Sequence, residues 1–163
     1  MLLWLVLAGA QEGVLAPTLA TWEASVQRGG ALLDRAEQAH ARLAAAQQAW
    51  VAEGCVAARC PVERRAELLV AVEAGGHAAR ALVQGARAEL GRLDRMAAFP
   101  AVSALLDATR SQRAQRLHLR ADTLAEAVVV RAAWTTRFVL PATRGIPAAA
   151  LPCSTEPELD PTP

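Results

Sequence analysis

Gly54-Cys55-Val56-Ala57-Ala58-Arg59-Cys60-Pro61-Val62-Glu63 is the stretch on which the fold turns. It interrupts two long Ala-rich tracts, and Cys60-Pro61-Val62-Glu63 suits a helix start, with proline at the first helical position and a carboxylate near the positive end of the dipole. A connection this short makes the flanking helices antiparallel neighbours, so the stretch reads as the turn of a helical hairpin.

Outward from the turn, apolar and small residues recur at alternating spacings of three and four. The first tract reads Leu19, Trp22, Val26, Gly29, Leu33, Ala36, His40, Leu43, Gln47, Trp50. The second reads Val62, Leu69, Val72, Gly76, Ala79, Val83, Ala86, Leu90, Leu93, Ala97. Both are seams of helices packed lengthwise. Phe99-Pro100 separates a third, less regular tract, with Val102, Leu106 and Thr109 early and Leu117, Ala121, Leu124, Val128 and Trp134 late. Pro17 and Pro141 bracket the set. The expected architecture is all-α: an elongated antiparallel three-helix bundle or coiled-coil-like hairpin, with helices over 18–53, 61–98 and 100–140 inside a helical domain spanning 11–140. From 141 to 163 the composition shifts to Pro, Ala, Thr and acids, which predicts a disordered tail with too little to bury.

Folding the first tract onto the second about the 55–60 loop places Gly29-Gly30 near Gly85, and Ala39-His40 near Gly75-Gly76, predicting close backbone approach at two levels. Folding the third tract back about Phe99-Pro100 brings Trp134 and Phe138 to the end that carries Trp50 and the cysteines, predicting an aromatic plug there.

Met1-Leu-Leu-Trp-Leu-Val-Leu-Ala-Gly-Ala10 resembles a short secretory leader over 1–10, with Ala8 and Ala10 as the small residues a signal peptidase needs. Gln11-Glu12-Gly13 ends the run well short of the roughly 20 apolar residues of a spanning helix. Export makes the compartment oxidising and Cys55 and Cys60 disulfide partners, pinning the hairpin. The enclosed loop is short, so its entropic contribution stays below the ~3 kcal/mol of a 15-residue loop. Cys153 is left over, as a free thiol, an intermolecular link or an alternative partner.

Composition narrows function more by exclusion than by assignment. The net charge of +1 is not that of a nucleic-acid binder, and the 17 basic residues are all arginine, a bias that GC-rich coding produces by itself. With 53% hydrophobic but only 4% aromatic residues, the core is Ala-rich and thin. Glu37-x-x-His40 has the spacing of di-iron bundle ligands, but the second motif and the additional carboxylates are missing; His40 reads as a partly buried seam residue with Glu37 solvated beside it. No nucleophile elbow or phosphate loop is present, so no catalytic residue, metal ligand or cofactor is assigned.

One surface feature stands out. Arg110, Arg113, Arg116 and Arg120 recur at three, three and four along one helical face. Such a stripe fits lipid head groups, acidic polysaccharide or an acidic partner helix. The alternative is that these arginines pair with Glu89 and other acids of the second helix. In shape alone, a long exported hairpin resembles periplasmic chaperones and adaptor proteins. The expectation is a non-enzymatic, periplasmic or secreted helical scaffold, adaptor or chaperone-like protein. Its partner would be another protein or a second copy of itself, with neither nucleic acid nor cofactor. The alternative is a module that binds an anionic membrane or polymer surface through the Arg stripe.

Overall fold

In the computed structural model, the backbone is described for residues 2–57 and 59–143 and side chains from Thr18 onward. Among these residues the chain is all-α: α1 (Leu2–Ala52), α2 (Val62–Ala97), a single-turn α3 (Pro100–Ser103) and α4 (Ala108–Phe138), with 3-10 turns over Cys55–Ala57 and Leu140–Thr143. Ala, Leu, Arg, Glu and Gln dominate the three long helices and are strong helix formers. At 1.5 Å per residue the 36 residues of α2 extend about 54 Å, so the bundle is elongated as its tract lengths predicted.

Three boundaries differ from the sequence reading. The first helix, expected from 18, runs back through Pro17 to Leu2, since a proline removes one intrahelical hydrogen bond without obliging the flanking residues to leave the helix. The leader expected over 1–10 falls on this segment, whose side chains lie outside the described residues. The third helix, expected unbroken over 100–140, is split at Ala104–Asp107: the Asp107 carboxylate accepts the Arg110 backbone N–H at 2.8 Å and starts α4 afresh. The helical body does not close at Pro141. It continues to Thr143, and Ala142 packs against the core. The remaining tail, 144–163, lies outside the described residues.

Two buried clusters run end to end along the bundle. The longer one joins α1, α2 and α4 through residues such as Trp22, Leu33, Ala79, Leu90, Ala121 and Leu124. The second, at the cysteine end, gathers Leu43, Trp50, Leu69, Val72 and Val139 around Cys55 and Cys60, with Trp134 packed on its edge. The aromatic plug is therefore present, with the Trp134 and Phe138 rings 5.3 Å apart. In α1 the predicted seam is buried at almost every position from Trp22 to Trp50. In α2 the exceptions are instructive: Val62 is exposed, and Gly76 faces open space.

The hairpin register is about one helical turn away from the one the loop midpoint implies. Gly29 faces Leu90 rather than Gly85, Gly85 faces Leu32, and Gly75 lies against Leu43 rather than Ala39-His40. The 3-10 turn over Cys55–Ala57 extends the path beyond α1 before the chain reverses, which moves the symmetry point toward Cys60. Close approach survives at Gly75, where an added Cβ would lie 3.2 Å from the Leu43 Cα.

Candidate functional site

The hairpin turn is built by local geometry. Gly54 adopts φ 74°, in the left-handed region where a side chain is strained. Its carbonyl accepts the backbone N–H of both Ala57 and Arg59 at 3.2 Å, curling the chain so that Cys55 and Cys60 come to a Cα–Cα distance of 4.9 Å and form a disulfide. Both cysteines are buried. The Arg64 guanidinium donates to both oxygens of Glu53 at 2.8 Å and to Glu67 at 2.9 Å, bridging the two sides of the turn and raising the Arg64 pKa.

Arg65 is a residue that the sequence reading missed. It is buried, and its guanidinium donates to the Cys60 carbonyl at 3.2 Å and the Ala142 carbonyl at 3.3 Å, tying the disulfide turn to the end of the helical body. The available signal was positional: Arg65 lies one turn before Leu69, on the seam of α2.

A second polar connection crosses from α1 to α4. Gln47, buried on the seam, donates to the Arg131 carbonyl at 3.0 Å and the Thr135 hydroxyl at 2.9 Å, while Arg131 donates to the Gln47 side-chain oxygen at 3.1 Å. Two turns before Gln47, the His40 Nε2 is buried and has no hydrogen-bond partner among the described residues. Burial, and then the positive charge of Arg131, lower the His40 pKa. Glu37 is not simply solvated beside it: the Arg120 guanidinium grips that carboxylate and lowers its pKa.

The His40 shift fixes a pH dependence. Its folded pKa lies below the ordinary 6.5, so on acidification the unfolded chain takes the proton first and stability falls as pH drops through and below that value. The melting temperature is expected to be lower at pH 5 than at pH 7. His40→Leu should remove most of this difference while leaving the steeper loss below the carboxylate range. A His40→Leu profile parallel to that of the parent protein would show that the imidazole does not titrate against the fold.

The four arginines of the stripe divide into two pairs. Arg110 binds Glu23 at 3.1 Å and Asp107 at 3.0 Å, and Arg120 binds Asp34 and Glu37, both at 2.6 Å. The two carboxylates raise the Arg120 pKa further. Arg113 and Arg116 are exposed and hold no ion pair among the described residues. The cross-helix partners are acids of α1 rather than α2, and Glu89, the partner considered from sequence, sits instead beside Arg28 at 3.5 Å and Arg92 at 3.7 Å. On the opposite flank of α4, Asp122 takes Arg87 at 2.6 Å and His118 takes Asp94 at 3.0 Å.

Away from the core, α4 presents Leu119 at 70% exposure and Val130 at 67%. Between α2 and α4 a groove of about 190 Å³ has Val72, Gly76 and Val128 in its lining and Glu73, His77 and Arg80 along its α2 side. Among the described residues no group of His, Cys, Asp and Glu is placed to hold a metal ion, and no helix is long and apolar enough to cross a membrane. Compared with known proteins, the chain matches no family model, no curated protein and no solved structure.

Proposed function

We propose that this is an extracytoplasmic, non-enzymatic helical protein that works by surface contact, as a scaffold, adaptor or chaperone-like partner of another protein. The observation that carries the reading is the outward side of α4: Leu119, Val129 and Val130 stand exposed on a helix that already commits Ala121, Leu124 and Val128 to the core. Leaving large aliphatic side chains in water forgoes roughly 1.5 to 3 kcal/mol of burial for each, which a partner surface recovers. The compartment rests on the Cys55–Cys60 disulfide, a bond that persists in oxidising surroundings, and on the leader-like residues 1–10.

Photocrosslinkers placed at Leu119 and Val130 in the native host should yield a discrete adduct. The same probe at Ala41, on the exposed side of α1, should not. Equal adducts at all three positions, or none, would remove the α4 surface as a contact site.

A second reading, contact with an anionic membrane or polymer, is favoured by Arg113 and Arg116, which carry charge without an acid partner among the described residues. Replacing both with Gln should abolish salt-sensitive retention on anionic vesicles, with the melting temperature nearly unchanged. Arg120→Gln should instead lower stability by up to about 1 kcal/mol, since this arginine holds α4 to α1. Retention that persists in the double variant ends this reading.

A further inference from the structure

The groove between α2 and α4 lies beside the point where the described chain ends. Leu140 lines it and begins the 3-10 turn that finishes at Thr143, three residues on. The Gly76 position leaves it open: apart from the adjoining backbone of its own helix, no atom of the described residues lies within 4 Å of where a Cβ would stand. The side chains of Glu73, His77 and Arg80 have no ion pair or hydrogen bond among the described residues. At about 190 Å³ the groove is smaller than the roughly 300 to 1,000 Å³ of dedicated small-molecule sites, and it suits one or two side chains of a peptide.

The chain beyond Thr143 has the matching chemistry. Arg144 is followed by the apolar Ile146-Pro147-Ala148-Ala149-Ala150-Leu151, then by Glu156, Glu158 and Asp160, with no further basic residue. We propose that the segment Ile146–Leu151 of the same chain docks in the α2/α4 groove, with Arg144 toward Glu73 and the terminal acids toward Arg80.

Reach and direction agree with this. The Ala142 carbonyl is fixed to Arg65, near the start of α2, so a chain leaving Thr143 can run along α2 in the direction of Arg80. From Thr143, three residues span up to about 10 Å, close to the rise of α2 from Arg65 to Val72. In an extended, proline-containing conformation Ile146 and Leu151 are about 15 Å apart, comparable with the roughly 12 Å from Val72 to Arg80 along α2. The short connection holds the segment at an effective concentration in the millimolar range, so a shallow groove suffices.

The test uses the full chain with its native disulfide. A nitroxide on Cys153 should selectively broaden amide signals of residues 72–80 and leave those around Trp22 sharp. The broadening should vanish in Gly76→Phe, which fills the groove, and in Ile146→Asp/Leu151→Asp, which leaves the helical body untouched. Broadening that is absent, spread evenly over the bundle, or retained in the Ile146→Asp/Leu151→Asp chain overturns the proposal. Broadening transferred to an isotopically labelled copy lacking the nitroxide would show the segment in a second molecule's groove, and would overturn docking within one chain.

Discussion

Replacing Trp50 with alanine is expected to cost about 3 to 5 kcal/mol, a large share of the roughly 5 to 15 kcal/mol that holds a domain together. Trp50 has no exposed surface and sits in the cluster that joins the disulfide turn to α2 and to Val139 beyond α4. Removing it leaves a void beside a disulfide and two long helices, and such a frame cannot collapse freely to refill the space. The drop in melting temperature should be on the order of 10 to 20 °C. Trp50→Phe is expected to behave very differently. The indole Nε1 is buried without a hydrogen-bond partner among the described residues, so losing that N–H relieves a desolvation penalty while most of the ring volume stays. Denaturant titration should place the Phe variant within about 1.5 kcal/mol of the parent protein. A Phe variant as unstable as the Ala variant would mean that the indole nitrogen is engaged after all.

The second large effect comes from two adjacent glycines with opposite expected signs. Gly75→Val should destabilise by about 1 to 3 kcal/mol, because its Cβ would meet the Leu43 Cα and Cβ at 3.2 Å and the Leu43 nitrogen at 3.3 Å, all in or next to the backbone of α1. Relief requires α1 and α2 to move apart along a seam of small residues. Gly76→Ala meets nothing within 4 Å and should gain up to about 1 kcal/mol from helix propensity alone. Parallel urea titrations decide the matter, and a stabilised Gly75→Val would show that the two helices are not in close contact there.

Those two glycines also mark where reading the sequence succeeded and where it stopped. Spacing of three and four identified the buried side of α1 from Trp22 to Trp50, because helical periodicity is a local property. Register is not local. Whether the 3-10 turn over Cys55–Ala57 adds to the path before the reversal depends on hydrogen bonds to the Gly54 carbonyl, and that turn decides which residues meet across the hairpin. The break before α4 had a legible sign in Asp107, a good helix N-cap, but Leu105, Leu106 and Ala108 around it continue an apolar tract.

The arginine stripe illustrates a different barrier. Its spacing and its lengthwise alignment were visible, but three helices can close with the third on either side of the hairpin. Which acids Arg110 and Arg120 meet depends on that choice, and they meet Glu23, Asp34 and Glu37 of α1. Arg65 defeated the reading for a related reason. A charged side chain on a seam is buried only when polar groups converge on it, and among those that do are the carbonyls of Cys60 and of Ala142, far along the chain.

The way α4 is attached has a consequence for how the molecule opens. Helices α1 and α2 are joined by a disulfide and share a long run of buried aliphatic residues, whereas α4 buries fully only Ala121, Leu124 and Val128; partly buried contacts such as Leu117 and Trp134, the Gln47 hydrogen bonds and ion pairs on both flanks supply the rest of its attachment. Free energy of opening is therefore unevenly distributed. The α1/α2 hairpin is expected to be the cooperative unit of highest stability, with the amides of α4 released to hydrogen exchange before those of α1 and α2. Added salt weakens the ion-paired part of that attachment and leaves the hairpin's apolar seam intact, so exchange of the α4 amides is expected to quicken with ionic strength while that of α1 and α2 changes little.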